Sequence, residues 1–489
     1  MIVNKFGGTS VGNPQCMADV ADILIEQHNR TKPGDSGDMR SASKGTVVVV
    51  SAMSGVTDRL IAGARAAAEG QDGVYRDIKA ALLARHLDVV ETLLSHSPER
   101  LEVGGLVEDR LHDLDRLYRS IAVLGELTVR GCDAVASFGE QLSANILAAV
   151  LRDRGARAQA LSATELIVTD GHFGAATPLV EQTNERLQQR VRPLLERGTI
   201  PVITGYIAAT EQGATTTLGR GGSDYTAAIV GAGLEAEEVW IWTDVDGILT
   251  ADPNIVSGAR TLAELSYSEA AELAYFGADV LHPKTIRPVV AGRIPLRILN
   301  TFNPSRRGTL IVDSPRPDRD LSPAIISTTG LSMIGVGTQD DSWTLDMAAC
   351  ALRLLSDAGV DVLLFSQAFS EHSLSLVVRE QNQAHCLNVL RARFGGESAQ
   401  TDTGNRKDDG MYTLGTREKV ATVSVVGRPG WKESHIVSHA FAALGKHGTR
   451  VIAVAQAGTE YSVSFCIPED QVESTVRFLH AELGLGGKA

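Results

Sequence analysis

The sequence predicts an α/β protein. A large domain is built on a largely parallel sheet with a helical insert, and two small copies of a strand–helix–strand–strand–helix module follow. Three observations carry this. Short β-branched strands alternate with helical stretches over residues 1–313. A stretch at 314–323 then breaks the rhythm with Pro315, Pro317 and Pro323 among alternating charges, the composition of a semi-rigid linker. Beyond it the chain repeats itself: FSQAFSEHSLSLVV at 365–378 aligns without gaps to VAQAGTEYSVSFCI at 454–467, an offset of 89 with five of fourteen positions identical.

In chain order, Ile2–Phe6 reads as a strand, Gly7-Gly8-Thr9-Ser10 as a turn, and Met17–Gln27 as a helix. Residues 31–45 have the composition of a surface loop, and Thr46–Val50 that of a buried strand. The stretch from Thr57 to Leu127 is mostly helical in pattern, and strands recur at Ile200–Thr204, Glu238–Trp242 and Pro295–Asn300. The first small module reads Ser332–Gly337, Thr344–Asp357, Val360–Ser366, Ser373–Arg379 and Gln383–Arg393. The second ends at the helix Gln471–Leu483 with no closing strand, whereas Ala324–Thr329 offers a spare one. The two modules, 324–410 and 411–489, are therefore expected to interleave, the early strand completing the second sheet.

Composition removes several function classes. With 46 basic against 59 acidic residues the formal charge is −13, so no net positive field draws in a nucleic acid. The longest run of branched aliphatic residues is Val47–Val50, far below the ~20 residues of a membrane helix. The opening MIVNKFGGTS lacks the pattern of a secretory signal. Five scattered cysteines with no CxxC suit reduced thiols, and a cytoplasmic location is expected. Neither HExxH, GxxxxGK[ST] nor GxGxxG occurs, so a nucleotide, if handled, is held by another architecture.

Four strings bear chemistry. In Lys5-Phe6-Gly7-Gly8-Thr9-Ser10-Val11 two glycines bring backbone N–H groups close to an anion and Lys5 adds a full charge; a plain strand-to-helix turn remains the alternative. Ser51-Ala52-Met53-Ser54-Gly55-Val56-Thr57 places hydroxyls at the exit of a buried strand, where α/β sheets bind ligands, and Ser54 also suits a helix N-cap. Ser137-Phe138-Gly139-Glu140-Gln141-Leu142-Ser143 places a carboxylate at the expected start of a helix, which the helix dipole alone explains. Thr215–Tyr225, TTTLGRGGSDY, joins hydroxyls, Arg220, Asp224 and three glycines in a loop suited to a carboxylate or phosphate.

Together these strings resemble the aspartokinases of the amino-acid kinase superfamily. KFGGTSV, VVSAMSGVT, FGEQLSA, TTTLGRGGSDYTA, WTDVDGILTADP and FGADVLHPKT stand in the family's order, and the resemblance spans essentially the whole chain. The C-terminal repeat resembles paired, ferredoxin-like ACT modules (βαββαβ) that sense end-product amino acids. SQAFSEHS and AQAGTEYS are most like those of aspartokinases fused to homoserine dehydrogenase, although no dinucleotide fingerprint follows the repeat. The kinase activity alone is therefore expected.

The resemblance implies an amino-acid kinase fold over 1–313 and transfer of the γ-phosphoryl of ATP to the side-chain carboxylate of L-aspartate, with Mg2+. It implies Lys5 against the transferring group and Asp224 fixing Lys5 or helping to hold Mg2+ through water. Arg220 would meet the α-carboxylate and Glu140 the α-ammonium, with Ser51, Thr57, Tyr206 and Ser223 along the rest of the substrate. Gly7, Gly8, Thr9, Thr243, Asp244, Gly247 and Asp252 fall on the nucleotide side. There the chain departs from many relatives, with Leu249 for an aromatic, Asn254 for Arg and Asp279 for Lys; Lys284 is the expected replacement cation and Asp279 is expected to face elsewhere. Asp361, Gln367 and Gln456 are the expected effector contacts. Bulky Phe365 and neutral Gln367 favour threonine over lysine as feedback effector, because a lysine ammonium needs a counter-charge. A homodimer through 324–489 follows from the exposed edges of small sheets. Two alternatives stand: an inactive amino-acid sensor, and a kinase of another small amino acid.

Overall fold

The computed structural model describes residues 1–30, 45–275, 281, 283–316, 322–338, 343–368, 373–394, 412–427, 436–456 and 462–486; the side chains at 30, 283, 284, 368 and 412 are outside the description. The expected loop at 31–45 (apart from Gly45), Asp279, the Lys284 side chain, Pro317 and Glu371 and Glu460 of the repeat therefore lie outside the described residues.

The chain divides into two units. The first is Met1–Ile248, Thr261–Ala271 and Asp279–Arg319, and the second Leu249–Arg260, Glu272–Ala278 and Asp320–Ala489. A single cut at the proline-rich stretch does not describe this, because residues 249–260 pack with the C-terminal residues.

The first unit opens with β1 (Ile2–Phe6), α1 (Pro14–Arg30) and β2 (Thr46–Val50). Four helices follow, α2 (Val56–Ala68), α3 (Asp72–Leu94), α4 (Glu99–Leu124) and α5 (Val129–Asp153), then β3 (Ala158–Leu161) and β4 (Val168–Thr169). Next come α6 (Val180–Arg190), α7 (Arg192–Glu196), β5 (Ile200–Thr204), β6 (Ile207–Thr210), β7 (Thr215–Thr217), α8 (Gly222–Gly233) and β8 (Glu238–Thr243). Last are β9 (Glu264–Ser266), α9 (Tyr267–Tyr275), α10 (Pro283–Gly292), β10 (Leu296–Asn300) and β11 (Thr309–Val312).

Eight strands form one sheet in the order β3-β5-β2-β1-β8-β10-β11-β9, and β4, β6 and β7 form a second. From β3 to β10 every pairing in the large sheet is parallel. Every residue of β2, TVVVV, is buried, as expected for a strand covered on both faces. Phe6 stacks on Trp242 at 5.5 Å between ring centroids. The helical insert is α2–α5, locked where Tyr118 donates its phenolic proton to the Leu60 carbonyl at 2.9 Å. α5 is long and apolar enough to cross a membrane, yet most of it is buried within this unit, where it covers β3 and β5.

The second unit holds β12 (Ala324–Thr338), α11 (Leu345–Asp357), β13 (Val362–Ala368), β14 (Ser373–Arg379), α12 (Gln383–Phe394), β15 (Tyr412–Val426), α13 (Ile436–Lys446), β16 (Ala453–Gln456), β17 (Ser462–Pro468) and α14 (Val472–Glu482). The strand order is β13-β14-β12-β15-β17-β16. Interleaving runs both ways. Ala324–Thr328 pairs with Thr422–Val426, which also pairs with β17, while the far half of β12 pairs with β14 and the near half of β15. The two halves meet at a register shift beside Gly330 and Lys419, both with positive φ. Residues 249–260 join this unit's core: Ala251, Ile255, Val256 and Ala259 pack with residues of β15, α13, β17 and α14.

Candidate active site

The parallel strands deliver the site. Lys5 lies near the carboxyl end of β1, Ser51 just past β2, and Tyr206 just past β5, so all three reach the crevice at the carboxyl edge of the sheet. α8 opens in the same place, Gly221 taking φ 69° so that Ser223 and Asp224 fall in its first turn. A cavity of about 470 Å³ results, lined by Lys5, Ser51, Ala52, Thr57, Glu140, Gly174, Tyr206, Arg220, Ser223 and Asp224 together with the glycines of the 219–222 turn. Every expected catalytic and substrate-side residue therefore lines one cavity. Gly174 does so as well and carried no signal in the sequence.

Lys5 Nζ lies 2.6 Å from Asp224 Oδ1 in the cavity wall, with both side chains largely shielded from solvent. The ion pair fixes the ammonium where a charge-rich group could meet it. Glu140 is buried, accepts from the Ala52 N–H, and leaves Oε2 without a partner. Burial pushes its carboxyl up to about 8, because the charged form loses its hydration. A buried acid with one idle oxygen in a cavity is poised for a cation.

Two local readings need correction. Glu140 is not at a helix start: α5 begins at Val129, capped by Thr128, whose Oγ1 accepts from the Gly131 N–H at 3.0 Å. The dipole at an N-terminus therefore does not explain Glu140. Ser54 does not cap α2 either. The N-cap is Gly55 with φ 72°, and no side chain accepts there.

Tyr206 has φ 65°, unusual for a bulky residue. It is held by its N–H donating to Thr226 Oγ1 at 3.0 Å and its carbonyl accepting from Leu218 N–H at 2.9 Å. Burial raises its phenol, and nearby Glu140 and Asp133 raise it further. Gly222 permits this packing, since a Cβ there would stand 2.6 Å from Tyr206 Cδ2.

The expected nucleotide-side residues do not line this cavity, Lys5 excepted. Gly7, Gly8 and Thr9 form the turn after β1, and the Gly8 carbonyl accepts from Ser54 N–H. Thr243 donates to Asp244 Oδ1 at 3.0 Å. Gly247 is buried with φ 112°, against Thr309. Asp252 lies in the second unit, where its side chain accepts from Asn254 N–H at 2.9 Å. In the second unit Asp361 and Gln456 are exposed, and the Gln367 amide nitrogen is buried without a partner among the described residues. All five cysteines are free.

Comparison with known proteins defines the class. Residues 1–300 match the amino acid kinase family, and residues 423–483 match an ACT domain. Aspartokinase 1 of Arabidopsis thaliana chloroplasts is 30% identical over 500 residues, covering 98% of this chain and 79% of that protein. A bifunctional aspartokinase/homoserine dehydrogenase 2 of the same plant is 34% identical over 501 residues, covering 99% of this chain. The chain spans about half the length of such bifunctional relatives. Among solved structures, E. coli aspartokinase III in complex with aspartate and ADP (R-state) aligns with a TM-score of 0.78 at 26% identity, covering 99% of this chain and 100% of that one. The same enzyme with lysine and aspartate (T-state) aligns at 0.75. The chain therefore belongs to the amino acid kinase family and, within it, to the aspartokinases.

Proposed function

We propose that the protein is an aspartate kinase, moving the γ-phosphoryl of ATP to the side-chain carboxylate of L-aspartate to give 4-phospho-L-aspartate, the entry step to the lysine, threonine and methionine group of amino acids. The observation that carries this is the pairing, in one cavity, of an idle buried carboxylate with a guanidinium: Glu140 and Arg220 match an α-ammonium and an α-carboxylate. The names of the relatives support it, as does the aspartate and ADP complex of the E. coli enzyme.

The chemistry asks little of a base. The acceptor carboxylate has an ordinary pKa near 3.9 and is already ionised at neutral pH. What remains is positioning and charge support. Arg220 and Glu140 fix the two ends of the amino-acid group, and Ser51, Thr57, Tyr206 and Ser223 line the rest. Lys5, held by Asp224, supplies the cation at the transferring oxygens. The turn Gly7-Gly8-Thr9 and residues Thr243, Asp244, Gly247, Asp252 and Lys284 serve the nucleotide. Among the described residues no cluster of three metal-ligating side chains occurs. That suits Mg2+, which usually takes one or two carboxylates plus substrate phosphates; Asp224 is the residue here that would help to hold it. The metal would neutralise phosphate charge.

An assay with ATP, Mg2+ and L-aspartate, trapping the acyl phosphate as its hydroxamate, tests the reading. No hydroxamate with aspartate, but formation with another small amino acid, would overturn the substrate; none with any would leave an amino-acid sensor. Regulation by threonine is part of the proposal, with Asp361, Gln367 and Gln456 as contacts. The unpartnered amide nitrogen of Gln367 supports it, since a hydroxyl could take that donor. The E. coli enzyme was solved with lysine, so calorimetry compares the two effectors. Heat and inhibition with lysine alone would overturn threonine, and Gln367→Ala should raise the threonine concentration for half inhibition severalfold. The chain is proposed to act as a homodimer through the ACT modules; light scattering showing a monomer at micromolar concentration would sink that.

A further inference from the structure

Asp133 lies two turns before Glu140 on α5 and is 2% exposed. Its partners in the described structure are all uncharged. Oδ2 accepts from Gly174 N–H at 2.8 Å and Thr217 N–H at 3.0 Å, and Oδ1 accepts from the Thr217 hydroxyl at 2.7 Å. A buried carboxylate with no cation beside it is costly unless its oxygens are well met. Here three donors meet it, from segments 41 and 84 residues away in sequence. Both segments line the cavity: Gly174 directly, and Thr217 through Gly219 and Arg220, which follow it. Ala176 N–H also donates to the Thr217 carbonyl at 2.9 Å, so the two segments are tied to each other as well as to α5.

The tied segments carry Gly174, Gly219 and Arg220 into the cavity that Glu140, on the same helix as Asp133, also lines.

We infer that Asp133 is a positioning residue of the substrate site. It clamps the Gly174 and Thr217 segments against α5 and so holds Gly174 and Arg220, three residues beyond Thr217, in the cavity that Glu140 lines. This rests on the reading above that Glu140 and Arg220 hold the two ends of an amino acid. Two variants test it. Asp133→Ala removes all three contacts, whereas in Asp133→Asn the carbonyl can keep both backbone donors and the NH2 can donate to Thr217 Oγ1.

Steady-state kinetics, calorimetry with L-aspartate and amide exchange compare the two variants with wild type. Asp133→Ala should speed exchange at Gly174 and Thr217 and raise the aspartate KM about tenfold with the ATP KM close to wild type, and Asp133→Asn should restore most of both. Unchanged exchange in Asp133→Ala overturns the clamp, and faster exchange with an unaltered aspartate KM, or an equal rise in both KM values, overturns its role at the substrate site. Should wild type bind no aspartate, the substrate reading itself fails, and amide exchange still decides whether Asp133 is the clamp.

Discussion

Glu140 gives the site a proton as well as a charge. Its carboxyl, pushed up to about 8 by burial, is mostly protonated at pH 7 in the ligand-free protein. A bound ammonium favours the anion, so the proton must leave. Calorimetry of aspartate binding at pH 7 in buffers of different ionisation enthalpy should therefore show proton release approaching one per site, and Glu140→Gln should abolish the release and weaken binding at least tenfold. Binding without a buffer-dependent heat would refute the assignment. The same shift bears on stability. A folded pKa above the ordinary carboxylate value gives a contribution that is full below about pH 4.5 and is lost as pH rises through about 8, so ligand-free wild type should lose Tm across that range more steeply than Glu140→Gln. Lys5 makes a separate prediction. Met keeps its length and drops the charge, which at a phosphoryl-transfer site should lower kcat by about 100-fold or more; activity within a few-fold of wild type would remove Lys5 from the chemistry.

At the scale of elements, the contact between α8 and the turn after β5 sets the shape of the substrate pocket. Gly222→Ala would place a methyl 2.6 Å from the Tyr206 ring, which sits on a backbone already at φ 65°. The ring should move and the aspartate KM rise severalfold with the ATP KM unchanged; an unaltered aspartate KM would show that the ring position does not matter. Such contacts also show what the sequence could reveal. The strand-and-glycine strings put Lys5, Ser51 and Arg220 in the right elements because those signals are local. Glu140 was misplaced because small residues such as Gly131, Ala134, Ala136 and Gly139 hide the helical pattern of α5, and the real start signal, Thr128, lies twelve residues upstream. Gly174 and Asp133 were invisible for another reason. Their meaning lies in hydrogen bonds to segments far away in sequence, and no local pattern encodes those.

In the molecule as a whole, the hairpin 249–260 is built into the C-terminal unit by polar as well as apolar contacts. Buried Thr250 meets His480 Nε2 at 3.0 Å and accepts from Arg260 N–H at 3.1 Å, while its carbonyl accepts from Ile325 N–H. Thr250→Val keeps the shape and strands two buried groups, at about 1–3 kcal/mol each, so Tm should fall by several degrees; an unchanged Tm would show that water replaces the hydroxyl. His480 is held below its ordinary pKa by burial and by Arg260. Its contribution is therefore present above about pH 6.5 and fades on acidification, and His480→Gln should flatten the loss of stability between pH 7 and 5. The crossed strands of this unit also bear on how the chain is made. A ribosome releases β12 long before β15, so one edge of β12 waits unpaired until Tyr412–Val426 emerges, and β15 in turn waits for β17. A message cut short anywhere in this stretch yields a nascent chain with open sheet edges. Such products should be found in the insoluble fraction or degraded.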